Sequence, residues 1–165
     1  MHNKMVTIWD ELVRVSSLLL QNMYNDNFIT LFVDHSYDIT FSDIACLYLY
    51  QPTAGCKNDL KLNYARGNYE VRKTIPLHSD LVLFLKESRE TVVLSEASAS
   101  CFSELLLSEN MNSGIGLYLG SESQEFCIFI LNSLHAYHYT QERFDFLNKL
   151  GVLASVMFSY WIKRQ

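Results

Sequence analysis

Six consecutive apolar residues, Phe126, Cys127, Ile128, Phe129, Ile130 and Leu131, constrain this chain more than any other stretch. The run is short for a helix and rich in aromatic and β-branched side chains, which favours a strand. Successive strand side chains point to opposite faces, so an apolar run at both parities must be covered on both sides. Upstream, residues 113–119 form a second apolar run, and Gly120, Ser121, Glu122 and Ser123 between the two have the composition of a tight turn. The pair reads as an antiparallel hairpin at the centre of a sheet, with other elements layered on each face.

The rest of the chain supplies those layers. Residues 5–24 read as a helix, because Met5, Ile8, Trp9, Leu12, Val15, Leu19 and Met23 recur at spacings of three and four. Val6, Val13 and Leu20 mark a second apolar line, which predicts a second packing partner. Asn25 or Asp26 is positioned to cap a short helix to about His35. Residues 44–50 then read as a strand covered on both faces, and residues 60–67 as a half-buried strand nearer an edge. Residues 74–77 end a polar connection, Ser79 or Asp80 caps a helix over residues 81–88, and residues 91–94 form a short strand. A small-residue loop leads to a short helix over residues 102–109. After the hairpin, Thr140 caps a long last helix with one stripe of Phe144, Leu147, Leu150, Ala154, Met157 and Trp161. A second stripe holds Phe146, Leu153, Val156 and Tyr160. No repeat or linker divides residues 1–165, so one α+β domain is expected. The absence of a stop signal at Lys163, Arg164 and Gln165 suggests a helix that continues into a longer protein.

Composition narrows the partners. A net charge of −5 disfavours nucleic acid or an anionic membrane as the main partner, and no apolar run is long enough to span a bilayer. The four cysteines, Cys46, Cys56, Cys101 and Cys127, form no C-x-x-C pair and no evident disulfide framework, which fits a reducing cytoplasm. Cys46 and Cys127 sit in apolar strands, where cysteine behaves as a small hydrophobe.

Taken in order, these elements resemble a GAF domain over nearly the whole chain, from Trp9 to Trp161. The strand at residues 44–50 and the one at 60–67 match the family's first two. Thr74, Ile75, Pro76 and Leu77, followed by residues 81–89 and Thr91, Val92, Val93 and Leu94, resemble its central passage. Residues 114–119 and 126–131 match its paired strands, and residues 139–147 the opening of its last helix. The resemblance implies a profilin-like antiparallel sheet of five to six strands, with the N- and C-terminal helices on one face. Short helices and loops would cover a ligand cavity on the other. It also implies homodimerisation through the terminal helices and a covalently attached effector domain.

Strand parity then suggests where a guest would sit. Cys46, Tyr48 and Tyr50 share one face of their strand, opposite Ala45, Leu47 and Leu49, and Gly114, Gly116 and Tyr118 share a face of theirs. Glycines leave room and tyrosines offer hydroxyls, so Cys46, Tyr48, Tyr50 and Tyr118 are expected to line a ligand site, with Phe102 and Glu104 as its lid. The alternative is that the tyrosines merely pack at the sheet edge. Gly114-Ile115-Gly116 precedes a strand and is no dinucleotide fingerprint. The Asn-Lys motif of the family's cyclic-nucleotide binders has no counterpart, since Asn148-Lys149 falls in the last helix. His135 and His138 lack further ligands and are expected to be exposed, His78 to be solvated, and Asp80, Glu87, Arg89 and Glu90 to form a solvated helix face. No metal or cofactor is expected.

The function expected from this pattern is a sensory module that binds a small molecule and relays the signal through its terminal helices, without catalysis. Two alternatives stand beside it. One is a thiol enzyme of the free methionine sulfoxide reductase type, for which Cys101 is the one candidate. The other is a dimerisation module whose cavity is filled by its own side chains.

Overall fold

The computed structural model describes residues 7–52, 58–98, 102–121 and 124–164. Its six strands form one antiparallel sheet. They are β1 (Ile44–Tyr50), β2 (Asp59–Arg66), β3 (Thr74–Pro76), β4 (Val92–Leu94), β5 (Ser113–Leu119) and β6 (Phe126–Ser133), in the spatial order β3-β2-β1-β6-β5-β4. The all-apolar strand is central, as its pattern requires: β6 lies between β1 and β5 and is buried along its entire length. β3 is an addition to the sequence expectation. A three-residue strand ending in proline carries no alternation to detect, and proline is tolerated there because the strand lies at the sheet edge.

Each face of the sheet has its own core. On one face Ala45, Leu47 and Leu49 of β1 and Cys127, Phe129 and Leu131 of β6 pack under three helices. These are α1 (Ile8–Asn22), α2 (Phe28–Ile39) and α4 (Gln141–Ile162). On the other face Cys46, Tyr48, Ile128 and Ile130 pack under α3 (Asp80–Ser88) and a single 3-10 turn, Ser103–Leu105. The long terminal helices therefore share a face, as expected. α2 joins them instead of the short elements opposite, because its apolar residues Phe28, Ile29, Phe32 and Val33 belong to the first core. The helix expected over residues 102–109 is only the 3-10 turn.

Local chemistry fixes the helix ends. Thr7 and Asp10 form a reciprocal capping box at α1. Ser79 accepts a hydrogen bond from the Val82 amide, and Thr140 one from the Arg143 amide. α2 starts after Asn27, whose side chain makes no cap, so neither Asn25 nor Asp26 takes that role. Phe158 of α4 unites the helical layer, with its ring centroid 5.0 Å from that of Phe28 and 4.9 Å from that of Phe32. Phe32 in turn meets Phe129 of β6 edge-on at 4.8 Å.

The second stripes are confirmed in part. Val13, Leu20, Leu153, Val156 and Tyr160 are exposed and Val152 joins them, but Phe146 is fully buried in the core. Val6 lies outside the described residues. No helix among the described residues is long and apolar enough to cross a membrane.

Candidate functional site

The sheet face opposite the terminal helices carries the candidate site. β1 presents Cys46, Tyr48 and Tyr50 there, and β5 presents Gly114, Gly116 and Tyr118. The 3-10 turn, with Phe102 at its start and Glu104 within it, lies over the same face. Pairing with β6 sets the register: Tyr48 lies opposite Ile128, Gly116 opposite Ile130 and Gly114 opposite Asn132. The sequence-derived residues are thus on one side of the sheet, away from α1 and α4.

The expected hollow is occupied by the protein itself. A Cβ built on Gly116 would stand 2.7 Å from Cδ2 of Leu105, and one on Gly114 would stand 3.1 Å from the Leu105 carbonyl oxygen. The two glycines form a notch in β5, filled by Leu105 of the 3-10 turn and, over Gly114, by the Asn132 amide nitrogen, 2.9 Å from the same Cβ position. The room that glycine parity promised exists, but these side chains take it. Tyr48 is fully buried, and its hydroxyl donates to the Arg72 carbonyl at 2.7 Å, tying the β2–β3 connection to the sheet. Tyr118 stacks on Phe126 with centroids 5.2 Å apart, and its hydroxyl donates to the Ser121 carbonyl. Arg89 is exposed, as expected, and its guanidinium also lies 3.7 Å from the Tyr118 ring centroid. Tyr50 is half-buried against Phe126, and Phe102 is half-buried against Phe84. Glu104 is also half-buried.

Asn132 is the residue the sequence reading missed. It follows the apolar run at the parity of Phe126, Ile128 and Ile130, and that parity was the available signal. It is fully buried. Its Oδ1 accepts from the Leu107 amide at 2.7 Å, and its Nδ2 donates to the Leu105 carbonyl at 2.6 Å and to the Leu131 carbonyl at 2.8 Å. The 3-10 turn and the residues after it are therefore held down by the buried side chains of Leu105 and Leu107 and by one buried amide. Beside it, a groove of about 680 Å³ runs between Val71 and Arg72 on one side and Ser103, Leu106 and Leu107 on the other.

The thiols divide sharply. Cys46 lies under this face and Cys127 under the helices, and both are fully buried. Burial pushes the Cys46 thiol up to about 12 and raises that of Cys127 as well, so both remain protonated and unreactive at neutral pH. Cys56 and Cys101 lie outside the described residues. Among the described residues no group of His, Cys, Asp and Glu could hold a metal ion. His78 is exposed and so is His135, but His138 is half-buried and its Nε2 lies 2.7 Å from the Thr40 carbonyl. Desolvation there lowers its affinity for a proton.

A six-stranded antiparallel sheet, with terminal helices on one face and a short-element cover on the other, defines a GAF-fold domain. Solved structures of that fold superpose on nearly the whole chain. The GAF domain of the phosphoenolpyruvate-protein phosphotransferase from Acinetobacter is 18% identical, covers 100% of this chain and 98% of its own, and has a TM-score of 0.76. The free methionine-R-sulfoxide reductase from Neisseria meningitidis, solved with its substrate, is 14% identical, covers 96% and 92%, and has a TM-score of 0.77. The corresponding reductase from Staphylococcus aureus, also with substrate, is 12% identical, covers 92% and 95%, and has a TM-score of 0.66. At these identities the likeness establishes the fold. No protein-family model matches the chain, and no curated protein sequence does. The expectation of a chain without catalysis is overturned by these neighbours, several of which are enzymes of the same fold. A GAF fold and buried strand cysteines do not by themselves argue against an active thiol elsewhere in the chain.

Proposed function

We propose that this chain takes a small molecule on the Tyr48–Tyr118 face of its sheet and reduces free methionine sulfoxide there. The observation that carries the binding half is the notch over Gly114 and Gly116, filled by Leu105 of a 3-10 turn and by the Asn132 amide. Small-molecule sites favour such concave apolar surfaces with a few convergent polar groups. The reductase neighbours, two of them solved with substrate, favour sulfoxide as the guest.

The chemistry requires a reactive thiolate, and the burial of Cys46 and Cys127 leaves Cys101 and Cys56. Cys101 directly precedes Phe102 in the chain. Its thiolate attacks the sulfoxide sulfur; with one proton taken from solvent the oxygen passes to the Cys101 sulfur as a sulfenic acid, the substrate's S–O bond breaks, and methionine leaves. One thiol of an external dithiol condenses with the sulfenic acid and releases water. The second thiol then displaces Cys101 as a free thiol and closes the dithiol into a disulfide.

The test is turnover. The chain, incubated with free methionine-R-sulfoxide and dithiothreitol, is expected to release methionine, and Cys101→Ser to abolish that release. Absence of methionine release from the unmodified chain excludes the reductase reading.

A second reading is favoured by a separate observation. Val13 and Leu20 of α1 and Val152, Val156 and Tyr160 of α4 leave an apolar surface on the helices farthest from the candidate site. On this reading the guest is a signal, the helical surface pairs two copies of the chain, and binding shifts the arrangement of α1 and α4 for an attached effector.

A further inference from the structure

β5 runs on past its edge partner. β4 pairs with it only from Gly114 to Gly116, so Leu117, Tyr118 and Leu119 have β6 on one side and no strand on the other. α4 comes close beside this open edge: a Cβ built on Gly151 would stand 2.8 Å from Cδ2 of Leu117. Between the edge, α4 and the connection from α3 to β4 lies a cavity of about 210 Å³.

The polar lining of this cavity is rich in donors and carries one charge. Arg89 ends α3 with a left-handed backbone at φ 60°, and its Nε donates to the Lys86 carbonyl at 2.8 Å. That bond and the Tyr118 ring, 3.7 Å away, hold the guanidinium in place. Its two terminal nitrogens have no partner among the described residues, and no carboxylate there pairs with it. Across the cavity, Oδ1 of Asn148 in α4 accepts from the Thr91 hydroxyl at 2.8 Å. The bond fixes the sense of the amide and leaves Nδ2 without a partner among the described residues. The Ser155 hydroxyl lines the same space, and Leu117 and Val152 give it an apolar wall.

We propose that this cavity is a binding site for a small monocarboxylate with a short hydrocarbon tail. The terminal nitrogens of Arg89 take the two carboxylate oxygens as a planar fork. Asn148 Nδ2 and the Ser155 hydroxyl donate to the remaining lone pairs, and the tail lies against Leu117 and Val152. One guanidinium balances one carboxylate, whereas a phosphate brings more than one charge at neutral pH and leaves the excess uncompensated. At ~30 Å³ for each water-sized group, the 210 Å³ admit about seven non-hydrogen atoms, the size of pentanoate. The guest joins the end of α3 to α4 across the open strand edge. The notch over Gly114 and Gly116 takes no part, so the presence or absence of sulfoxide turnover does not bear on this site.

The experiment is a titration of the isotope-labelled full chain by two-dimensional NMR, at fixed pH and ionic strength, with pentanoate, pentanamide and inorganic phosphate. Pentanoate is expected to shift the backbone amides of Gly120 and Gly151 and the side-chain amide of Asn148, with saturation in the millimolar range. The amides of Gly114 and Gly116 are expected to stay in place. Pentanamide has the same shape without the charge, and it and phosphate are expected to leave all of these signals unmoved. Arg89→Gln, which changes an exposed side chain, and Asn148→Asp, which puts a negative charge in the same shape, are each expected to weaken pentanoate binding about tenfold or more. The spectra of the unliganded variants report separately that both are folded. Absence of a saturable shift with pentanoate, equal shifts with pentanamide, or a stronger response to phosphate overturns the site. Undiminished binding by Arg89→Gln overturns it as well.

Discussion

Leu105→Ala is expected to cost about 2–5 kcal/mol of folding stability, read as a lowered denaturant midpoint with little change in slope. The size follows from where the side chain sits. Leu105 is fully buried, and its Cδ2 occupies the space over Gly116 that any β-carbon there would have to share. Truncation removes transfer energy and leaves a cavity that the neighbours cannot fill, because the floor is backbone of β5 and the wall is Leu85 of α3. A loss below about 1 kcal/mol would mean that the turn collapses into the notch at little cost. The account of a glycine-shaped receptacle would then fail.

Phe158→Ala tests the opposite face and is expected to cost about 3–5 kcal/mol. Phe158 is fully buried between Phe28 and Phe32, and Phe32 passes the contact on to Phe129 of the central strand. The variant therefore loosens α2 and α4 from each other and from the sheet. Its effect is expected to concentrate in the helical layer, so near-ultraviolet circular dichroism should weaken while iodoacetamide labelling of Cys46 relative to Cys127 falls. A variant as stable as the parent would show that the aromatic chain across the layer contributes only area that other residues can cover.

Most of the fold was legible because its signals are periodic. Apolar parity identified β1, β5 and β6 and correctly assigned Ala45, Leu47 and Leu49 to the helical side and Cys46 and Tyr48 to the other. The caps at Ser79 and Thr140 were legible because a side-chain oxygen at that spacing has a mechanical purpose. β3 was not, since three residues ending in proline show no alternation. The position of α2 was not, because its apolar stripe would fit either face, and only the tertiary contacts of Phe28 and Phe32 decide.

The site was half legible. Parity brought Cys46, Tyr48, Tyr50, Gly114, Gly116 and Tyr118 to one face. It could not tell that Leu105 fills the glycine notch, because that contact joins residues with no regular spacing between them. Asn132 was passed over as the polar end of an apolar strand, yet it makes the hydrogen bonds that hold the cover. Arg89 is exposed as expected, but its contact with the Tyr118 ring joins two elements and has no sequence spacing to reveal it.

A guest on the Tyr48–Tyr118 face requires that the turn over Gly116 open locally while the sheet beneath stays folded. Native-state hydrogen exchange of the unmodified chain tests it most directly, with amide protection at Leu107 compared with that at Ile128 and Ile130. The account predicts that Leu107 exchanges through a local opening that denaturant hardly affects, well before the two strand amides. Exchange of all three at one rate, with the denaturant dependence of global unfolding, would show that the turn is an integral part of the core and contradict the account.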